Sequence, residues 1–184
     1  TFTGLSHFFG AVIIIILGLI VYKHIIMAFS APFMSVVSEK IEQHLYGDLK
    51  HLYRNSTFFE QLIRGIRINI RNLSKELLFS LPLLILKLIP IVNLFSTLLL
   101  FLLQAYYAGF GNMDYTLERH LPYKESVDFI QKRRGFAIGN GIVFMLCLLI
   151  PFIGIIIVLP LSVTAATTKT LSLLHDKHEI VYEK

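Results

Sequence analysis

The sequence predicts an all-α integral membrane protein, and its composition and hydropathy pattern support this prediction. Hydrophobic residues make up 55% of the 184 residues, charged residues make up 16%, and the mean hydropathy is +0.68. Soluble domains usually have about a quarter of their residues charged. Long apolar stretches cover residues 5–31, 77–110 and 135–166. Such a chain has too many apolar side chains to stay disordered in water. We expect a single membrane domain over 1–184.

The first stretch predicts a transmembrane helix over residues 5–31. About 20 residues of helix cross a hydrocarbon core of about 30 Å. Lys23 can reach an interface if the helix is placed to allow it. If the helix runs on to Ala31, Lys23 and His24 lie deeper and should face protein or water rather than lipid.

The second and third stretches predict two re-entrant helical hairpins, hairpin 1 over 77–110 and hairpin 2 over 135–166. Each stretch is too long for one untilted helix and too short for two full spans with a turn. Pro90 and Pro151 both follow Leu-Ile and are candidate break points, because proline removes a backbone donor and clashes with the preceding turn. The alternative is two long, kinked transmembrane helices.

Residues 58–76 predict an amphipathic helix that lies in the membrane interface before turning down at Leu77. Its apolar residues recur at helical spacing, and they are Phe59, Leu62, Ile63, Ile66, Ile70 and Leu73. Its basic stripe consists of Arg64, Arg67, Arg71 and Lys75. Guanidinium groups match oxyanions, so the stripe is a candidate anion funnel or lipid-phosphate site. The simpler interpretation is a solvated face.

The remaining polar segments are a loop over 111–134 and a tail over 167–184. Basic residues lie next to the membrane ends of both polar segments, 38–76 and 111–134, which places these segments in the cytoplasm. Two hairpins would return the tail to the same side. The small residues Gly135 and Gly139 predict close helix packing. Asn93 and Asn140 are candidate polar groups at membrane depth.

The net charge of +5 favours membrane orientation, anionic lipid or a small anion over nucleic acid.

The sequence shows no motif that would make the protein an enzyme. Asp114, Glu118 and His120 fall close together, but no nucleophile or hydrolase motif accompanies them. His175 and His178 could lie on one helix face as metal ligands, although a solvated tail is the simpler interpretation. Cys147 is the only cysteine of the chain, which excludes an intrachain disulfide. We therefore expect no cofactor and no metal.

Several short strings together resemble the CysZ sulfate permeases, a family within the membrane proteins of the etoposide-induced-protein type. The resemblance covers most of the chain in the right order. Its strings are Ala31-Pro32-Phe33, Val36 to Glu42, Met113-Asp114-Tyr115, Arg119-His120, Phe136 with Leu149-Ile150-Pro151, the run Pro160 to Thr167, and Asp176-Lys177-His178.

This resemblance implies sulfate uptake across the bacterial inner membrane for cysteine biosynthesis, with assembly into homo-oligomers. Family members have a further upstream transmembrane helix and a Gly-Leu-Arg segment for sulfate that this chain does not show, so we expect an N-terminal portion to be missing. In place of that segment, the best candidates for sulfate-binding residues within this chain are Arg64, Arg67, Arg71, Asn93 and Asn140. The alternative function is a non-transporting scaffold or lipid-shaping protein.

Overall fold

A computed structural model describes residues 2–47, 54, 56–148, 150 and 153–175 as a bundle of α-helices. α3 is the central helix, because it packs against each of the other five. The prediction of an all-α membrane fold is confirmed. The helices are α1 (Phe2–Tyr46), α2 (Phe58–Leu86), α3 (Pro90–His120), α4 (Tyr123–Lys132), α5 (Arg134–Leu148) and α6 (Ile153–His175).

α1 is longer than the predicted span of 5–31. It continues through Pro32 to Tyr46, where Gly47 ends it at a φ of +86° and donates its N–H to the Gln43 carbonyl oxygen at 2.9 Å. Glycine adopts this left-handed conformation without strain. The extension is stable because Ser38 and Glu42 face the protein interior, where both are fully buried.

α2 begins at a capping box and does not turn at Leu77 as predicted. Thr57 accepts from the Glu60 N–H at 3.3 Å, and Glu60 accepts from the Thr57 N–H at 2.7 Å, which lowers the pKa of Glu60. Leu77 lies inside one continuous helix because the buried face runs past it in steps of four residues. That face includes Asn72, Glu76, Ser80 and Leu84.

α2 buries several polar side chains and exposes several large apolar ones. Phe59 is 71% exposed and Ile63 is 63% exposed, whereas Asn69 and Asn72 are buried. In water this arrangement would be unfavourable, but apolar side chains that face lipid need no cover from the protein. The exposed apolar stripe therefore supports contact between this helix and the membrane.

α2 and α3 form the first helical hairpin, which turns at 87–89 with Pro90 opening α3. Residues at matching distances from this turn contact each other across the hairpin. Arg64 binds Asp114, and the Arg71 guanidinium lies 4.9 Å from the centre of the Phe110 ring. The alternative of one kinked helix is therefore wrong for this stretch. The hairpin arms extend beyond the predicted range of 77–110, to Phe58 and His120.

α5 and α6 form a second antiparallel pair. α5 ends at Leu148 and α6 begins at Ile153, while Pro151 lies outside the described residues. The Asn140 amide nitrogen donates to the Ser162 carbonyl oxygen at 2.9 Å, which sets the two arms side by side. At about 1.5 Å per residue, the 15 residues of α5 span about 22 Å, less than a bilayer core.

Two predicted polar segments are largely helical. The loop predicted over 111–134 is occupied by the end of α3, by α4 and by the start of α5. The tail predicted from Thr167 continues α6 to His175, and residues 176–184 lie outside the described part. The C-terminal half of α3 stays helical because its polar side chains bind partners on other helices rather than water.

The closest helix crossing lies between α3 and α5, two residues away from the predicted glycines. A Cβ added to Gly109 would overlap the Ala137 carbonyl oxygen, and one added to Gly141 would overlap the Ala105 carbonyl oxygen. By contrast, a Cβ at Gly135 or Gly139 would meet no atom of the described residues within 4 Å, apart from the chain neighbours. The prediction that Gly135 and Gly139 mark the close packing is therefore wrong. Their neighbours Ala137 and Gly141 face α3 instead.

Three helices are long and apolar enough to cross a membrane among the residues that the structure describes. They are Gly10–Tyr46, Pro90–His120 and Ile157–His175. Large apolar side chains cover the outside of the bundle, including Ile91, which is 93% exposed, and Leu94, which is 83% exposed. Exposure of this extent is typical of a surface that faces lipid.

Substitution of Gly141 by alanine should lower the thermal stability of the protein strongly, because the new methyl group would force α5 away from the Ala105 carbonyl. The control is Gly139→Ala on the same helix. Because the space beside Gly139 is open, this substitution should leave the free energy of unfolding unchanged or raise it by up to about 1 kcal/mol. Thermal unfolding in detergent measures both. Equal effects of the two substitutions would contradict the observed crossing.

Candidate anion site

α3 supplies most of the polar side chains in the interior of the bundle. Residues 107–119 are buried without interruption, and they include Asn112, Asp114, Thr116 and Arg119. Buried charges are unfavourable in an apolar environment unless they are paired and hydrogen-bonded. The partners of these side chains lie on α1, α2, α5 and α6, so α3 connects the whole interior.

The first buried cluster joins α1 to α2. Lys23 donates to both carboxylate oxygens of Glu76, at 2.8 and 2.9 Å, and to the Gln104 carbonyl oxygen at 3.3 Å. The His24 Nε2 lies 2.8 Å from Glu76 Oε2, and its Nδ1 lies 3.0 Å from the Asn69 amide oxygen. Lys23 and His24 thus face protein rather than lipid, as predicted for the deeper placement.

The second buried cluster joins α1 to α3. Arg119 donates to Glu42 at 3.1 Å and to Ser38 Oγ at 2.9 Å, and His120 Nε2 lies 3.0 Å from Glu42 Oε1. The Thr116 and Thr167 hydroxyls extend the cluster to α6, each 2.9 Å from Ser38 Oγ. This cluster explains why α1 remains helical beyond Ala31.

The third buried cluster joins α2 to α3. Arg64 binds both carboxylate oxygens of Asp114, at 2.9 and 3.2 Å, and donates to the Leu121 carbonyl oxygen at 2.8 Å. Ser126 of α4 donates to the same carboxylate. Burial opposes the charged form of Arg64, but the Asp114 charge and its hydrogen bonds raise the pKa of Arg64 overall.

A cavity of about 280 Å³ lies beside this third cluster. Arg54, Arg64 and Arg67 line it together with the acidic residues Glu60 and Glu118. Arg64 is already paired with Asp114. The Arg67 guanidinium lies 4.1 Å from the centre of the Tyr123 ring, a distance typical of a cation–π contact. The cavity thus holds cations whose charge is partly balanced by neighbouring carboxylates.

A larger cavity of about 650 Å³, here called the basic groove, lies between the α2–α3 hairpin and the start of α5. Three cationic side chains line it, Arg71, Lys75 and Arg134, and none of its described lining residues is acidic. Tyr106, Tyr107 and Gln131 add two hydroxyls and an amide, while leucine side chains, Ile138, Phe79 and Pro82 form its apolar wall. The excess of positive charge suits the basic groove for an anion.

The structure distributes the five predicted site residues over separate places. Arg64 and Arg67 share the smaller cavity, and Arg71 lies in the basic groove. Asn93 is exposed in the first turn of α3, where it accepts from the Thr97 hydroxyl at 3.2 Å. Asn140 accepts from Asn112 at 2.9 Å and borders a further groove between α5 and α6. Only Arg64 and Arg67 therefore line the same cavity.

Two of the three cationic residues of the basic groove were not among the predicted site residues. Lys75 follows Arg71 by four residues on α2, so their shared face was visible in the sequence. Arg134 is the first residue of α5, and no local pattern indicates which helix it faces. Within the described ranges no group of three potential metal ligands occurs, and His178 lies outside them.

The fold and its interior define an all-α membrane protein whose helices are joined by buried ion pairs. The chain belongs to the family described as Sulfate transporter CysZ/Etoposide-induced protein 2.4, whose model matches residues 2–158. It is 31% identical over 140 residues to the protein named "Sulfate transporter CysZ" in Pseudomonas aeruginosa strains LESB58 and PAO1. A relative of the same name in Pseudomonas paraeruginosa strain PA7 is 30% identical over 140 residues.

These matches cover 75% of this chain and 56% of each relative. The chain therefore spans a little over half the length of the curated relatives it matches. The family is a transporter family rather than an enzyme family.

The substitution Asp114→Ala should lower the free energy of unfolding by about 3–5 kcal/mol, because it leaves the Arg64 charge without its buried partner. Asp128→Ala is the matched control, since Asp128 pairs with Lys132 on the surface, where both side chains are more than half exposed. Loss of such a surface pair costs about 0–1 kcal/mol. Thermal unfolding in detergent measures both variants. Similar losses in the two variants would show that Asp114 is not a structural anchor.

Proposed function

We propose that the protein is a sulfate permease that mediates sulfate uptake across the bacterial inner membrane for cysteine biosynthesis. The membership of the transporter family and the names of the relatives support this proposal. The single observation that supports it most within this chain is the basic groove, which combines Arg71, Lys75 and Arg134 without an acidic lining residue in the described part of the chain.

The groove offers the groups that a sulfate dianion needs to leave water. A doubly charged anion loses a large hydration energy in an apolar medium, so its path must be wet or lined with donors. Arginine can bind two sulfate oxygens at once, while lysine contributes a compact charge. The Arg71 guanidinium is held in place by the Asn72 side-chain oxygen at 2.8 Å and by the Phe110 ring, which reduces the cost of ordering it.

We assign supporting roles to the other predicted residues. Arg64 and Arg67 line the smaller cavity and would raise the local concentration of sulfate near the membrane surface. Asn93 at the first hairpin turn and Asn140 between α5 and α6 would supply amide donors along the path. Further copies of the chain would complete a pathway between subunits, and the exposed apolar faces of the helices would contact those copies or membrane lipid.

A second candidate function is a scaffold or lipid-shaping protein that transports nothing. The crossing of α3 and α5 favours it, because Gly109 and Gly141 pack directly on backbone carbonyls and leave no space for a path there. Partly inserted hairpins would suit that function too. The two candidates differ in whether sulfate crosses a membrane that contains the protein.

Proteoliposomes with the full-length protein should take up radiolabelled sulfate faster than empty vesicles. The variant Arg71→Ala/Lys75→Ala should reduce this flux about tenfold or more, because each lost charged contact is worth about 1.5–3 kcal/mol. The triple variant Arg64→Ala/Arg67→Ala/Arg71→Ala tests both cavities together. Flux is measured over time at matched protein insertion.

The control for charge alone is Lys124→Ala/Lys132→Ala, which removes two exposed cations from α4 outside both cavities. This control should keep its flux. A correctly inserted wild-type protein without flux would favour the scaffold function. Equal flux in the wild type and the Arg71→Ala/Lys75→Ala variant would exclude the basic groove as part of the path.

Sulfate flux should also fall as ionic strength rises at constant sulfate activity. The Debye length shrinks from about 30 Å at 0.01 M salt to about 8 Å at 0.15 M, so partly exposed Lys75, Arg67 and Arg134 attract sulfate less strongly. The measurement is the same uptake assay with an inert salt. Flux that stays constant over this range would rule out electrostatic concentration of the substrate.

A further inference from the structure

A second groove, here called the α5–α6 groove, lies between the arms of the second hairpin and encloses about 450 Å³. Its described side chains change in character along its length. Toward the hairpin tip they are apolar and include Val143, Cys147, Val158 and Leu161. At the opposite end, Lys169 and Thr170 lie across from Gly135 and Phe136.

The polar end of the groove has a cation without a carboxylate partner. Lys169 is exposed, its Nζ lies 4.8 Å from the centre of the Phe136 ring, and it forms no ion pair within the described residues. Thr170 is fully buried, and its hydroxyl has no hydrogen-bond partner in the same part of the chain. A buried hydroxyl without a partner is unfavourable, so a ligand with acceptor oxygens would stabilise this end.

The dimensions and direction of the groove match a lipid. From Gly135 to Cys147 the helix rises about 18 Å, which is comparable to the thickness of one bilayer leaflet. The apolar end lies toward the hairpin tip, and the polar end lies next to the basic segment 132–134. A phospholipid that enters with its chain toward the tip would therefore bring its phosphate close to Lys169.

The open wall of the groove leaves space for a lipid acyl chain. A Cβ added to Gly135 or Gly139 would meet no atom within 4 Å, so no side chain or backbone of the described protein fills the space beside them. None of the described lining residues is acidic. The groove thus has an apolar shaft, a cationic end and no group that would repel a phosphate.

We propose that the α5–α6 groove is a binding site for an anionic phospholipid, with one acyl chain along the apolar shaft and the headgroup phosphate at Lys169. A cation between helices near a membrane interface favours anionic over zwitterionic headgroups. This site is separate from the basic groove. It shares Asn140 with the sulfate path proposed above, but lipid binding is tested below by readouts that do not depend on sulfate transport.

Cys147 provides the test, because it lines the apolar shaft and is the only cysteine of this chain. The full-length protein is reconstituted in nanodiscs of phosphatidylcholine alone or with phosphatidylglycerol, and the rate of Cys147 alkylation by a membrane-permeant maleimide is measured. Phosphatidylglycerol should slow alkylation about fivefold, the effect expected of one lysine near a membrane surface. Inorganic phosphate added to phosphatidylcholine nanodiscs should have no effect.

Lys169→Gln should abolish the difference between the two lipid compositions, whereas Lys124→Gln, which removes an exposed cation of α4 outside the groove, should preserve it. Native mass spectrometry that counts phosphatidylglycerol retained per protomer gives a second readout. Equal alkylation in both lipids, or a preference that survives Lys169→Gln, would overturn the proposal. If the protection of Cys147 against alkylation depended on protein concentration rather than on lipid composition, the groove would be assigned to a second copy of the chain.

Discussion

The bundle depends on the pairing of charges that lie between its helices. Glu76 of α2 binds Lys23 of α1, Glu42 of α1 binds Arg119 of α3, and Asp114 of α3 binds Arg64 of α2. Each pair of these three helices is thus joined by an ion pair that involves a lysine or an arginine. An unpaired charge in this interior would be strongly unfavourable, so the three pairs restrict how the helices can be arranged. Their contribution is specificity of arrangement more than net stability, since desolvation offsets much of the attraction.

This pairing also determines where positive charge remains available. Arg64 and Arg119 are engaged with carboxylates inside the bundle, whereas the basic groove contains Arg71, Lys75 and Arg134 and has no carboxylate among its described lining residues. Most of the protein's exterior is apolar, as a membrane requires. The proposed anion path therefore follows the basic groove, which has no carboxylate among its described lining residues, rather than the centre of the bundle, where the buried carboxylates would oppose sulfate.

The sequence predicted features that depend on local chemistry. The turn before Pro90 follows from the missing N–H of proline, and the basic face of α2 follows from four-residue spacing. It did not predict the extension of α1, because that depends on Arg119, which lies 77 residues from Glu42. The basic groove was only partly predictable for the same reason, since Arg134 joins Arg71 through packing. The predicted contact of α5 at Gly135 and Gly139 was wrong by two residues. Ala137 and Gly141, which face α3 instead, are also small and have the same spacing.

A double-substitution cycle on Lys23 and Glu76 tests most directly whether paired charges fix the arrangement of α1 and α2. Glu76→Leu alone should lower the free energy of unfolding by about 3–5 kcal/mol, because it leaves the buried Lys23 without a carboxylate. Lys23→Met alone should lower it by less, because His24 still lies 2.8 Å from the Glu76 carboxylate. The double variant should be more stable than either single variant, since two apolar side chains can pack without a charge. If the losses of the two single variants simply add in the double variant, the two side chains act independently and the pairing does not hold these helices together.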